Sequence, residues 1–196
     1  QGHVVPFGGG HPAVELVGLC GIPEDAAQAA DELIIRVDAN GAFTPEQALE
    51  VLQELAKLEV HSIEQPIAAG QQTAMSKLCN KNIVPIALDE ELIGVVSRSE
   101  KIALLEQIQP QYIILKPSLH GGFTGVTEWI SLAEERQIGW WLTSALESAI
   151  GLSAIVQFGA GYSLEIAQGF GTGGLYTNNF HSTLAIENGH IYWLND

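Results

Sequence analysis

The most restrictive feature of this sequence is a ladder of five short apolar runs, each closing on a polar residue able to do chemistry. Ile34-Ile35-Arg36-Val37 closes on Asp38, and His61-Ser62-Ile63 closes on Glu64. Ile86-Ala87-Leu88 closes on Asp89, Tyr112-Ile113-Ile114-Leu115 on Lys116, and Trp140-Trp141-Leu142-Thr143 on Ser144. The steps between closing residues are 26, 25, 27 and 28. One strand-plus-helix unit takes about 31 residues in an eightfold barrel of roughly 250. Short runs that are apolar throughout suit strands buried on both faces, and functional side chains gather at the C-terminal ends of barrel strands. The spacing predicts an α/β chain with a parallel sheet, and the repeated polar strand end favours a barrel over an open sheet.

Helix signals fall between the runs. Thr44-Pro45-Glu46-Gln47 reads as a start, with Thr44 as N-cap, Pro45 at the first helical position and Gln47 completing a capping box. Leu49, Leu52, Leu55, Ala56 and Leu58 follow at helical spacing. A short helix is expected over 73–78. Another is capped by Ser99, carries Ile102, Leu105 and Ile108, and stops at Pro110. Helices are also expected over 124–137, with Trp129, Leu132 and Ala133 inward, and over 148–158, ended by Gly159-Ala160-Gly161. Leu164 to Ala167 reads as a strand entering a Gly-rich loop over 169–173. Leu184-Ala185-Ile186 and His190-Ile191-Tyr192-Trp193 read as a hairpin about Asn188-Gly189.

Residues 1–33 differ from the rest. They hold no Lys or Arg, a Gly-rich tract over 7–12, one plausible strand over 13–20 and a short acidic helix over 23–32. The Gly-rich tract neither opens a helix nor carries Lys-Ser/Thr, so it reads as a loop and not as a phosphate cradle.

Composition narrows the function classes. A net charge of −15 with only eight Lys plus Arg argues against a nucleic-acid surface. No run approaches the roughly 18 apolar residues of a membrane span. The N-terminal stretch lacks a basic segment followed by an apolar one, so no secretory signal is read. Cys20 and Cys79 have no metal-ligand spacing and read as reduced, packed thiols of a cytoplasmic protein.

The ladder carries the chemistry. Asp38, Glu64 and Asp89 are three hard oxygen donors from consecutive strand ends, the ligand type that Mg²⁺ takes while keeping positions for water or substrate oxygens. A dication there would stabilise the enediolate left when a proton leaves the carbon next to a substrate carboxylate. Lys116, after four apolar residues and before Pro117, is aimed at the same mouth. Desolvation and cationic neighbours are expected to lower its pKa there, for a role as base, acid or electrostatic stabiliser. Ser144 is either a hydrogen-bond donor to an anionic substrate or an inert strand-end serine. His61 and His120 have no partner at ligand spacing and read as structural.

At these motifs the chain resembles the enolase superfamily, in its muconate-lactonizing-enzyme-like branch. Arg36-Val37-Asp38-Ala39-Asn40-Gly41, Glu64-Gln65-Pro66 and Asp89-Glu90 are similar to the family's three metal-ligand motifs. Lys116-Pro117-Ser118 with Gly121-Gly122 is similar to its sixth-strand lysine motif. Thr143 to Ser148 and the 169–173 loop are similar to its seventh and eighth strand ends. Within the branch, the stretches 116–122 and 169–180 are most similar to the o-succinylbenzoate synthases of menaquinone biosynthesis. The resemblance implies a (β/α) barrel of the enolase-superfamily type and a Mg²⁺-dependent lyase. Its reaction would be syn-elimination of water from a succinyl-hydroxycyclohexadiene carboxylate. Asp38, Glu64 and Asp89 would bind Mg²⁺, Lys116 would stabilise the enediolate, and Asn40, Ser144, Gly121 and Gly122 would line the substrate site. The implied partner is a small-molecule carboxylate, neither nucleic acid nor membrane, and a homo-oligomer is left open. An N-acylamino-acid racemase or dipeptide epimerase is the alternative on the same site.

One departure concerns the general base. The family carries it in a Lys-x-Lys motif on the second barrel strand, before the Asp38 motif, whereas no lysine precedes Lys57 here. The family's N-terminal α+β cap and first two strands have no clear counterpart in residues 1–33. Those residues are left unassigned, and 34–196 is read as the barrel domain. An open sheet of six strands would expose apolar edges, so the expectation is that segments of the family fold are absent from this sequence. The competing reading is a barrel that binds metal but has lost catalysis.

Overall fold

The computed structural model describes residues 4–5, 14–16, 34–164, 166–174, 176–187 and 190–194. Seven strands form one sheet in sequence order: β1 (Val4–Val5), β2 (Val14–Leu16), β3 (Arg36–Asp38), β4 (Ser62–Glu64), β5 (Ile86–Leu88), β6 (Tyr112–Leu115) and β7 (Gly139–Leu142). β3 to β7 are parallel, as the ladder predicts, and β1 and β2 extend the β3 edge in antiparallel pairing. The helices α1 (Pro45–Ala56), α2 (Gln72–Lys81), α3 (Arg98–Ile108), α4 (Gly122–Glu134) and α5 (Ala149–Gly159) follow β3 to β7 in turn. The tail is a separate antiparallel hairpin, β8 (Leu184–Glu187) with β9 (His190–Trp193). The expected Gly-rich loop over 7–12, the helix over 23–32 and Cys20 lie outside the described residues. Of the strand expected over 13–20, Val14–Leu16 is described and is extended.

Local chemistry sets the helix starts. In α1 the Thr44 side chain accepts from the Gln47 N–H, Gln47 reaches back to the Thr44 N–H, and Pro45 opens the first turn. α3 corrects the sequence reading: its N-cap is Ser97, not Ser99. Ser97 Oγ accepts from the Glu100 N–H and Glu100 Oε2 accepts from the Ser97 N–H. Ser99 has no acidic partner three residues on, whereas Ser97-Arg98-Ser99-Glu100 is a capping box. α2 is longer than the expected 73–78 and ends on Asn82 at φ 48°, a left-handed position that asparagine tolerates.

A second correction concerns the segment after α5. Residues 164–167 form no regular strand with β7 among the described residues; a single bridge joins Thr143 to Gly169. A side chain takes over part of the ladder, since the Leu142 N–H donates to Gln168 Oε1 at 2.7 Å while the Gly169 N–H donates to Leu142 O at 2.8 Å. Only glycine fits at 169, because a Cβ there would lie 2.3 Å from Thr143 Oγ1. The parallel part is therefore five strands plus this bridge, where the spacing counted about six units.

Alternate residues of a strand face opposite ways, and both faces of β3 to β7 are covered. Val37, Ile63, Ile86, Leu88, Ile113, Leu115 and Leu142 join the helices in the main core, where Leu52, Met75, Leu105 and Trp129 are buried. Ala87, Ile114 and Trp141 form a second, inner cluster with Tyr112 and Ile166. Arg36 closes the inner side: its guanidinium lies 4.3 Å from the Trp141 ring centre and donates to Ala167 O at 2.8 Å, across 131 residues of sequence. No helix among the described residues is long and apolar enough to cross a membrane.

Candidate active site

The strand-end residues inherit the two-residue period. Asp38 follows the inward Arg36 by two positions, Asp89 follows Ala87, and Lys116 follows Ile114, so all three belong to the inner face. Asp38 and Glu64 are directly paired across β3 and β4. Lys116 Nζ donates to Asp89 Oδ2, and the charge of Asp89 acts on Glu64. Four of the five predicted closing residues thus meet at one mouth.

Ser144 does not share that phase. It follows Leu142, which faces the helices, and the last step of the ladder is 28 residues. Its buried hydroxyl is shared with Thr172 Oγ1 and accepts from the Leu146 N–H. Asn40 is exposed at φ 46°, and its N–H donates to Asp38 Oδ1 at 2.8 Å. Gly121 and Gly122, at φ +83° and +68°, make the turn into α4, with Gly121 as its N-cap. A cavity of about 280 Å³ lies beside that turn, lined by Lys101, His120, Gly121 and Glu128 and not by the strand-end carboxylates. His120 supports the mouth from below, since its Nδ1 accepts from the Lys116 N–H at 3.0 Å. Burial pushes that imidazole down to about 4, so it is neutral at ordinary pH.

The electrostatics are those of crowded acids. Burial is the main cause pushing Asp38 up to about 6, with Glu90 and Asp89 adding to it against the Asn40 N–H. Glu64 is raised well above the carboxylate range, by burial first and then by Asp38 and Asp89. Lys116 departs from the sequence reading. Burial alone would lower it, but the ion pair with Asp89 and the charges of Glu64 and Glu90 outweigh burial and hold it above its ordinary value. The neighbours are anionic, not cationic.

Two residues at the mouth were not singled out by sequence reasoning. Glu90 has a buried Oε2 without a partner, and its charge acts on both Asp38 and Lys116. Gln65 is wholly buried and bonds to the chain beyond both β4 and β5. The acidic run Asp89-Glu90-Glu91 was the available signal for Glu90; for Gln65 it was the place between Glu64 and Pro66 in a quoted motif.

The donor set fits a hard dication in chemistry, being all oxygen, mutually repulsive and holding a buried, unpartnered Asp89 Oδ1. As arranged it is a salt-bridged site. Among the described residues no three His, Cys, Asp or Glu side chains stand close enough to hold a metal, with Lys116 on Asp89 and the Asn40 N–H on Asp38.

The profile of the enolase C-terminal domain-like family matches residues 23–195. The chain belongs to that family. An o-succinylbenzoate synthase from Desulfotalea psychrophila is 53% identical over 171 residues, covering 87% of this chain and 46% of the relative. The crystal structure of MenC from Desulfotalea psychrophila superposes with a TM-score of 0.79 at 54% identity, covering 81% of this chain and 44% of that one. Muconate lactonizing enzyme from Pseudomonas putida superposes with a TM-score of 0.74 at 22% identity, over 85% of this chain and 46% of its own, and at that identity shows the fold alone. The chain spans less than half the length of these family members. Its fold is a partial α/β barrel of the enolase-superfamily type.

Proposed function

We propose that this chain carries the metal-binding half of a Mg²⁺-dependent dehydratase of the o-succinylbenzoate synthase kind, acting in menaquinone biosynthesis in the cytoplasm. The observation that carries the reading is the Lys116 ammonium on Asp89, beside the inner-face carboxylates Asp38 and Glu64. The 53% identity to a synthase of that name supports the choice of reaction.

Asp38, Glu64 and Asp89 would hold Mg²⁺. The ion would supply positive charge to a substrate carboxylate as the neighbouring carbon gives its proton to the base that the resemblance places in a Lys-x-Lys motif on a strand before Asp38. Lys116 stays protonated among Asp89, Glu64 and Glu90, which suits it to stabilise developing negative charge and not to act as base. Ile114 and Trp141 pack on the inner face below the mouth, with the Arg36 guanidinium over the Trp141 ring. Asn40, Gly121 and Gly122 stand at the rim as substrate-lining positions, and the partner is a small carboxylate.

Racemases and epimerases on this scaffold use two opposed lysines. The missing Lys-x-Lys bears on both readings alike, so the 53% identity to a synthase is what favours the dehydratase. Incubating the protein with the succinyl-hydroxycyclohexadiene carboxylate tests the reading. Appearance of the aromatic product with Mg²⁺, and its loss with chelator, are expected. Racemisation of N-acylamino acids without dehydration would transfer the site to the alternative. Mg²⁺ binding without exchange of the substrate's α-proton in D₂O would mark a catalytically inactive barrel.

A further inference from the structure

We infer that Gln65 is a positioning residue for the cation site, clamping together the three chain segments that present Asp38, Glu64 and Asp89. The inference rests on the metal-dependent reading above. Gln65 follows Glu64 directly and is wholly buried, with its backbone at φ +35°. Such a left-handed position is held only where the surroundings over-determine it.

The surroundings here are hydrogen bonds to every carboxylate-bearing segment. The Gln65 N–H donates to Ala87 O at 2.9 Å, and its carbonyl accepts from the Gly41 N–H, beyond Asp38, at 2.6 Å. Its side-chain Oε1 accepts from the Asp89 N–H at 3.2 Å and the Glu91 N–H at 3.4 Å. Its Nε2 donates to Ile67 O at 3.0 Å and to Glu91 Oε2 at 3.4 Å. Both acceptor positions and both donor positions of the amide are used. Glu91, itself buried, then receives the Gly70 N–H through both of its oxygens, which anchors the loop beyond β4. The Gly41 side is equally tight, since a Cβ on Gly41 would lie 2.9 Å from Ala68 Cα.

The clamp has a purpose that ordinary packing would not need. Asp38 and Glu64 are paired across β3 and β4 and Asp89 closes the neighbouring β5, so three carboxylates share one mouth and repel one another when ionised. The Gln65 amide fixes the segments that carry them relative to one another. The chain supplies its own control at the other end of β5. There Gln111 makes a chemically similar tie, with Oε1 accepting from the Ile86 N–H at 3.0 Å and Nε2 donating to Cys79 O at 3.2 Å, far from the mouth.

The test is Mn²⁺ affinity by calorimetry in the wild type, Gln65→Met and Gln111→Met, with amide exchange read at Asp89 and Glu91 in metal-free protein. Gln65→Met is expected to weaken Mn²⁺ about 10–100-fold, the usual effect of removing a partner that orients a ligand, while Gln111→Met leaves affinity within about threefold. Equal weakening by both variants, or by neither, overturns the inference. If Gln65→Met does not fold, Glu91→Gln decides by the same criterion, with about tenfold weakening expected and unchanged affinity overturning the proposal. A wild type that binds no Mn²⁺ would remove the metal-dependent reading instead. The clamp is then judged on exchange alone: Asp89 and Glu91 amides about tenfold faster in the variant support it, and unchanged rates overturn it.

Discussion

Lys116 and Asp89, 27 residues apart in sequence, form an ion pair whose acidic partner is almost wholly buried: Asp89 keeps 3% of its side-chain surface and Lys116 keeps 19%. Each comes from the end of an inner-face strand, and Glu90, next to Asp89, acts on Lys116 by its charge. The pair places a fixed positive charge against a cluster that otherwise carries only negative ones. Replacing Lys116 with Met is expected to lower the dehydration rate about 10²–10⁴-fold, as removal of a positioned acid–base or electrostatic group does. Mn²⁺ affinity should not fall, since one cation has been taken away from the carboxylates that bind the other. Parallel kinetics and calorimetry check both halves.

Metal binding should depend on pH through Asp38. Its folded pKa is raised to about 6, so the metal-free fold takes up a proton there that the ion must displace. Affinity is expected to fall as pH drops through about 6, about tenfold per pH unit per displaced proton, and Glu64, also raised, adds a proton of its own to displace. In the metal-free protein the same group contributes stability below its unfolded value, and that contribution is lost as pH rises through about 6. Asp38→Asn should remove its share of both effects. A pH series of Mn²⁺ titrations and melts on the two proteins measures them.

The cap of α3 gives a test away from the mouth. Ser97→Ala is expected to cost about 1 kcal/mol of stability, and Ser99→Ala no more than about 0.5. Urea unfolding of the two variants separates them.

Gly125 ties α4 to the turn that carries His120. A Cβ at 125 would lie 2.0 Å from His120 O, so the turn must move. His120 Nδ1 in turn holds the Lys116 N–H. Gly125→Ala is expected to destabilise the protein by about 1–3 kcal/mol and to reduce turnover more than Mn²⁺ affinity. Thermal melts and kcat measured together check this.

Much of the fold was legible because one physical rule, a short apolar strand ending in a polar group, repeats with little drift. Asp38, Glu64, Asp89 and Lys116 keep the inner-face phase, so counting residues was enough to find them. Ser144 lies at the same kind of strand end but one position out of phase, and a count of apolar residues does not carry the alternation of faces. The Lys116 shift runs against the expected direction for another reason. The sequence expectation sets cations beside it, whereas in three dimensions Asp89, Glu64 and Glu90 act on it. Among the described residues of the strand expected over 164–167 no ladder forms, and the Leu142 N–H is met by the Gln168 side chain instead. Gln65 was passed over because a buried amide has no periodic signature; its importance lies in partners from three separate segments.

The central claim is that Asp38, Glu64 and Asp89 form a cation site. Its most direct test is the stoichiometry of Mn²⁺ binding in the wild type and in Asp38→Asn, Glu64→Gln and Asp89→Asn. One ion per chain, with affinity weakened in each variant, is the predicted result. No bound ion, or binding that survives all three substitutions, would contradict it.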